Sequence, residues 1–461
     1  MNFKSTIIAE KEIEKILNMS EDHFNDLKGR RISPSKLSEC ISSFANASGG
    51  DIYLGIEELD KNNGVRTWNG FEKIEDANAF VQMIDGLTPL ANNYDISFLE
   101  HPILHTFVIQ ISIMKSGSIV FATNDIPYIR RGAQKLPVDT PEKLRRLELD
   151  KGIVQFENEP VAESSITDLT ESKIFADFMS AIIPNVEKHT WIQKQKLCKE
   201  NVPTVAGILL FAEEPQITLP KRSAIKVFRY KTSGIADRDM LATQPLSIEG
   251  CAYDQIYSAV RTTKEIIESM KKLGEGFEAI QYPEETLHEI ITNAVIHRDY
   301  SIATDIQIRI FDNRIEVESP GKLPGHVTVQ NILNEQSARN PKIVRIINKF
   351  PDPPNKDVGE GLNTAFEAMT KLRLRVPEIF EKDNSVIVII RHERLASPEE
   401  IVMEFMKSNI EINNSKGREI TGIKSENAMK RVFWRLRDQG LLEPVPGKRG
   451  PAFAWRLKRV K

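Results

Sequence analysis

Apolar and polar positions recur with different periods along the chain, and each change of period marks an element. Residues 1–18 set Glu10, Glu12, Glu14, Lys11 and Lys15 around a few aliphatic positions, the spacing of a short amphipathic helix. The segment PSKLSECISSFANA predicts a helix that stops at Ser48-Gly49-Gly50, where glycine supplies the left-handed conformation on which helices end. A strand follows in DIYLGIEE, and more are expected at 105–112 and 118–122, ending near Tyr128–Gly132. Residues 150–170 are acidic and polar, the composition of a linker, and a second α/β region begins near 165. There Val205–Phe211 forms an apolar run suited to a buried element, Ala224–Tyr230 predicts a strand, and 248–275 has helical periodicity. A further α/β block occupies about 283–392. Leu287, Ile290, Ile291 and Ala294 mark the core side of a helix. Ile306, Ile308 and Ile310 alternate, turn at Asp312-Asn313, and return through Ile315 and Val317 as a hairpin.

The last segment, 397–461, reads helix, helix, helix, β-wing. Ser397 is placed to cap the first helix, with Pro398 at its first position and Glu399 and Glu400 in its first turn. Ile401, Phe405 and Met406 give that helix an apolar face. Ser425 caps the third helix, in which Met429, Val432, Phe433 and Leu436 form one buried stripe. Gln439-Gly440 ends it, Leu441-Leu442 begins a strand, Val445–Pro451 makes a basic turn, and Ala452–Leu457 returns. This order is similar to a winged helix-turn-helix. Its third helix then offers Lys424, Asn427, Lys430, Arg431 and Arg435 to nucleic acid, and its wing tip offers Lys448 and Arg449.

Composition sharpens this division. The chain has 461 residues, enough for about three domains at a prior of roughly 150 residues each. It is 40% hydrophobic and 28% charged, and no apolar run approaches the ~18 residues that cross a bilayer. The start of the chain lacks the apolar core of a signal peptide. Three distant cysteines, Cys40, Cys198 and Cys251, suggest neither a disulfide framework nor a zinc knuckle, so a cytoplasmic location is expected. Net charge is -3, which argues against a polyanion binder over its whole length, yet 397–461 holds 14 Lys and Arg against 8 Asp and Glu. The cationic end points to nucleic acid.

In the N-terminal part, Phe44-Ala45-Asn46, Gly49-Gly50, Gly55-Ile56-Glu57-Glu58 and the Tyr128, Arg130, Gly132 signature resemble the Schlafen AlbA-type nucleic-acid-binding domain over roughly 20–140. Some members of that family are metal-dependent RNases built on three acids. The resemblance places those acids at Glu21, Asp26 and Glu58, where a divalent cation would activate water. Asp26 stands where the family usually has Glu, and Leu27 where it has Phe. Lys28, Arg30 and Arg31 follow as candidate phosphate contacts.

The segment LHEIITNAVIHRDY puts Glu289, Asn293 and His297 on one helical face. With Ser319-Pro320-Gly321, Arg339-Asn340-Pro341 and Gly359-Glu360-Gly361 behind it, it resembles the GHKL-like ATP-binding block of RecG-like proteins. That resemblance implies Glu289 as the base that orients water, Asn293 as a magnesium ligand, Arg298 as a phosphate partner, and Gly321, Gly359 and Gly361 as phosphate-approaching glycines. The adenine-binding Asp of the Asp-x-Gly-x-Gly motif is replaced by Glu318-Ser319-Pro320-Gly321. No Walker A motif or helicase motif set is present.

The expected architecture is therefore a multidomain α/β (α+β) chain. A Schlafen AlbA-type domain spans 1–150, a degenerate GHKL-like sandwich with its preceding α/β segment spans 165–395, and a winged helix spans 397–461. The expected function is a DNA-binding transcriptional regulator, homo-oligomeric, with ATP and magnesium as candidate ligands of the central block. The alternative is an enzyme on nucleic acid, a metal-dependent RNase at the N-terminal acids or an ATPase at Glu289.

Overall fold

The computed structural model describes residues 4–60, 65–219, 222–272, 278–279, 283–354, 361–371, 374–391, 398–421, 423, 425–448, 450 and 453–458. Its first unit contains β1 (Lys4–Ile7), α1 (Glu10–Leu17), β2 (Asn25–Lys28), α2 (Pro34–Ala45) and β3 (Gly50–Leu54). The hairpin β4 (Ile56–Asp60) and β5 (Val65–Trp68) follows, then α3 (Asn78–Asp85), β6 (Tyr94–Glu100), β7 (Phe107–Ile113), and the hairpin β8 (Tyr128–Arg131) and β9 (Gln134–Pro137). The sheet order is β1-β6-β7-β3-β2. Ile52, Leu54, Phe98, Ile109 and Ile111 alternate inward from its strands and meet Leu37, Ile41 and Phe44 of α2. The expected strand is bent at Gly55, whose φ of 114° separates β3 from β4. The helix α2 ends at Asn46, and the left-handed glycine follows three residues later at Gly49.

Residues 118–122 do not form the expected strand; only Phe121 bridges, to Pro127. The backbone of Val120 is satisfied by side chains of α2 and its cap instead. Asn46 accepts from Val120 N (2.9 Å) and donates to Val120 O (2.7 Å) and Tyr128 O (3.0 Å). Ser42 Oγ also donates to Val120 O, at 2.7 Å. A side-chain clasp thus replaces a β ladder.

Helix α4 (Pro141–Lys151), capped by the Thr140 side chain, leads into the central unit. There Val205–Phe211 is a helix, α5, with every residue buried. The six-stranded sheet contains β10 (Ile225–Arg229), β11 (Leu246–Ile248), β12 (Ile306–Ile310), β13 (Arg314–Pro320), β14 (Glu378–Glu381) and β15 (Ser385–Arg391). Their order is β11-β10-β12-β13-β15-β14. The helices α6 (Ala252–Ser269) and α7 (Glu284–Ile296) pack through Ile256, Ala259, Leu287, Ile291 and Val295 into the same core as Ile308, Ile310 and Val317. Two more helices, α8 (Pro341–Ile347) and α9 (Gly361–Lys371), complete the layer.

The last unit has α10 (Pro398–Ser408), β16 (Ile412–Asn413), α11 (Asn414–Thr421), α12 (Glu426–Asp438), β17 (Leu442–Pro444) and β18 (Ala454–Leu457), with strand order β16-β18-β17. Met429, Val432, Phe433 and Leu436 fill its core with Val402, Met406, Ile412 and Trp455. Ser425 accepts from Ala428 N and caps α12. Ser397, the expected cap of the first helix, lies outside the described residues.

Candidate functional site

A cavity of about 330 Å³ opens between α7, β13, the loop after it and the start of α9. Glu289 and Asn293 line it from one face of α7, with His297 just past the end of that helix; Gly321 and Lys322 line it from the loop and Gly361 from the first residue of α9. Val317, Val386 and Val388 give it an apolar wall. The helical period brings Asn293 one turn below Glu289, and Asn293 Nδ2 donates to Glu289 Oε1 at 2.8 Å. Burial pushes the Glu289 carboxyl above its usual range, and the Asn293 amide offsets this in part. Burial and the Arg339 cation hold His297 down to about 4, so its ring is neutral at neutral pH. Its Nδ1 has no hydrogen-bond partner among the described residues.

Two glycines are closely approached by neighbouring side chains. A Cβ on Gly361 would lie 2.1 Å from Glu289 Oε1, and one on Gly321, where φ is 108°, would lie 2.6 Å from Asp299 Cβ. Gly359 lies outside the described residues. Arg298 does not line the cavity, contrary to its expected role toward phosphate. It is fully buried, and its Nη2 donates to the carbonyls of Arg222, Ile302 (3.3 Å) and Thr304 (2.6 Å). Buried and away from the cavity lining, it is not placed to meet an anion there. The cation that does line the cavity is Lys322, which sequence reasoning missed, although it directly follows the Ser319-Pro320-Gly321 segment. Glu318, in the position of the replaced Asp, is turned to Arg309 and to Ser385 Oγ (2.6 Å).

The Arg339-Asn340-Pro341 motif organises the rim. Asn340 Nδ2 donates to Ile296 O (2.9 Å) and Arg298 O (2.8 Å), closing the end of α7. Arg339 donates to Leu149 O and Lys322 O, each at 2.6 Å, and pairs with Asp299 at 3.4 Å. The loop that carries Lys322 is also held from the N-terminal unit. Lys115 Nζ, just past β7, donates to Leu323 O (2.7 Å) and Val327 O (2.9 Å), and both of these residues line the cavity. Lys151, at the end of α4, donates to Ser116 O (2.6 Å) and Ala45 O (3.2 Å), while its own carbonyl accepts from Gly325 N at 3.2 Å.

The three N-terminal acids are not gathered into a metal site. Glu21 accepts from Leu27 N (3.1 Å) and Lys28 Nζ (3.2 Å), and the buried Asp26 pairs with Lys28 (2.6 Å) and Arg130 (3.2 Å). Glu58 is exposed on β4. Among the described residues, no group of three acidic, His or Cys side chains could hold a metal ion. A carboxylate already neutralised by two cations gains little from a third. Lys28 is tied into the same cluster, Arg30 donates to Gly70 O at 3.4 Å, and Arg31 is exposed.

In the last unit, Asn427, Lys430 and Arg431 stand exposed on α12, opposite its buried stripe. Lys430 pairs with Glu426 at 2.7 Å, and Arg435 pairs with Glu399 of α10 at 2.6 Å, so Arg435 is turned toward that helix. Lys448 pairs with Glu411. Lys424 and Arg449 lie outside the described residues. Among the described residues, no helix is long and apolar enough to cross a membrane.

Comparison with curated proteins returned no match. Among solved structures, the chain is similar to the DIP2311 protein from Corynebacterium diphtheriae, at 18% identity and a TM-score of 0.42, covering 97% of this chain and 96% of that one. Residues 303–390 match the family described as "Putative ATP-dependent DNA helicase recG C-terminal", a span that starts after α7 and so takes in Gly321 and Gly361 but not Glu289. Residues 21–139 match the Schlafen AlbA_2 family. The chain therefore carries a Schlafen AlbA_2 domain followed by a RecG-like ATPase-type domain, in a mixed α/β multidomain fold.

Proposed function

We propose that this protein is a DNA-binding regulator whose central cavity takes a nucleotide and whose last unit is a winged helix that docks on duplex DNA. The observation that carries the nucleotide reading is the convergence of Glu289, Asn293 and Gly361 on one open cavity. The cavity fits such a ligand in chemistry as well as size. It has an apolar wall for a base, a lysine for phosphate, and a carboxylate beside an amide where a magnesium ion would keep most of its waters and phosphate ligands. The Glu289 carboxylate packs directly over Gly361, where a Cβ would stand, so the two residues meet at the cavity. A bound magnesium nucleotide would supply the γ-phosphate charge and the metal; Glu289 and Asn293 would orient it, and Lys322 would meet its phosphates.

The replaced adenine-binding Asp implies weak discrimination among bases. The cationic last segment and the exposed Asn427, Lys430 and Arg431 support DNA as the partner, bound by a homodimer on paired half-sites. The paired state of Glu21 and Asp26 favours regulation over an RNase activity at the N-terminal acids. The test is a thermal-shift series with ATP and ADP, each with and without magnesium, since a ligand of the native state raises the melting temperature. A rise with the wild type and none with Glu289→Ala or Asn293→Ala is expected. An unchanged melting temperature at millimolar nucleotide removes the reading. Light scattering is expected to show a dimer, and a monomer at micromolar concentration counts against paired half-sites.

A further inference from the structure

Of the chain's 4 tryptophans, three are core residues: Trp68, Trp191 and Trp455 are 8%, 3% and 5% exposed. Trp434 is 49% exposed and lies on α12. The helix buries Met429, Val432, Phe433 and Leu436, which leaves Trp434 near the middle of the opposite face. Helical spacing puts Lys430 and Arg431 one turn from it and Asn427 two turns away. An exposed indole flanked by cations is the kind of side chain that contact surfaces favour. The charge of this face names the partner, because Lys430, Arg431 and a segment with 14 Lys and Arg against 8 Asp and Glu complement phosphate.

A duplex narrows the chemistry further. Stacking covers the faces of paired bases, so a side chain on a helix in the major groove meets base edges. The apolar group on those edges is the thymine 5-methyl. We infer that Trp434 is a base-reading residue that seats a thymine methyl in the major groove, with Lys430 and Arg431 holding the flanking phosphates. This rests on the reading of the last unit as DNA-binding, and it adds the base preference that reading lacks.

The test uses the full chain and two probes, an alternating dA-dT duplex and the matching dA-dU duplex, which lacks only the methyl. Wild type is expected to bind the dA-dU probe roughly four-fold more weakly per contact, the worth of one buried methyl-sized group. The emission of the exposed indole should be quenched on the dA-dT probe. Trp434→Gln should bind both probes equally, at the dA-dU level, while Trp434→Phe keeps part of the preference. The blue emission of the three buried tryptophans in Trp434→Gln reports that the variant is folded.

Discrimination retained in Trp434→Gln, or an unchanged indole signal on saturated DNA, overturns the inference and leaves DNA binding standing. No binding of any duplex by the wild type overturns both. A concentration-dependent blue shift without DNA assigns Trp434 to a contact between copies and overturns the inference.

Discussion

Glu289 is a carboxylate held in an apolar wall, and that position has a thermodynamic signature. Its folded-state pKa lies above the ordinary value because burial disfavours the charged form, with only the Asn293 amide opposing. In the window between the two values the native state binds more protons than the unfolded chain. Stability therefore falls as pH rises through that window and stays lower above it. Glu289→Gln keeps the shape and removes the charge. It is expected to melt a few degrees higher than wild type at neutral pH, with the difference shrinking below the ordinary carboxylate value of 4.5. Equal melting temperatures at neutral pH would show that the carboxylate is not desolvated. The site would thus carry a destabilising residue in exchange for function. Gly361→Ala is the complementary test. Its Cβ would displace the Glu289 carboxylate from its place over Gly361, so the nucleotide-induced thermal shift should shrink.

The helix α12 separates residues that build the core from residues that face outward. Its cap at Ser425 and its stripe from Met429 to Leu436 follow directly from spacing in the sequence. Its outer face also follows from spacing, but which cations on that face remain turned outward does not. Both Arg431 and Arg435 are exposed, but Arg435 is paired with Glu399 of α10. Arg431→Ala and Lys430→Ala are therefore expected to weaken duplex binding by ~1–3 kcal/mol where they read base edges, and to flatten its salt dependence where they meet phosphate. Arg435→Ala should act mainly on stability. Titrations at several salt concentrations separate the cases, and unchanged affinity in the Lys430/Arg431 double variant would rule this face out.

At the scale of the molecule, two buried lysines join the N-terminal unit to the cavity loop. Burial lowers Lys115 to about 8 and Lys151 to about 7, and Lys151 is lowered further by Lys115. Both lie below the ordinary lysine value of 10.5, so the unfolded chain binds more protons across that window, and stability rises with pH from about 7 toward 10.5. Lys115→Met and Lys151→Met should flatten this rise in denaturation series across pH, although each removes donors from carbonyls, those of Leu323 and Val327 or that of Ser116, and lowers stability at high pH. Lys115→Met also frees the carbonyls of Leu323 and Val327. The nucleotide-induced thermal shift should then shrink, which would couple the N-terminal unit to the cavity. A full shift in that variant would separate the two units functionally.

Local pattern alone determined much of this protein. Residue spacing sufficed to place Glu289 and Asn293 on one helix face, to mark the hairpin from Ile306 to Val317, and to order the three helices and the wing of the last unit, though not its short strand Ile412–Asn413, because 3.6-residue and two-residue periods are local properties. The Phe-Ala-Asn and Gly-Gly segments marked the N-terminal domain by their resemblance to a known family, not by a period. Only the tertiary structure decided where long polar side chains end. Arg298 closes a loop instead of meeting phosphate, Asn46 replaces a strand partner for Val120, Asp26 is neutralised by Lys28 and Arg130, and Lys115 reaches a loop some 208 residues away in sequence. A buried polar group must find its partner wherever the fold supplies one, and that partner is set by contacts between distant segments that no local period encodes.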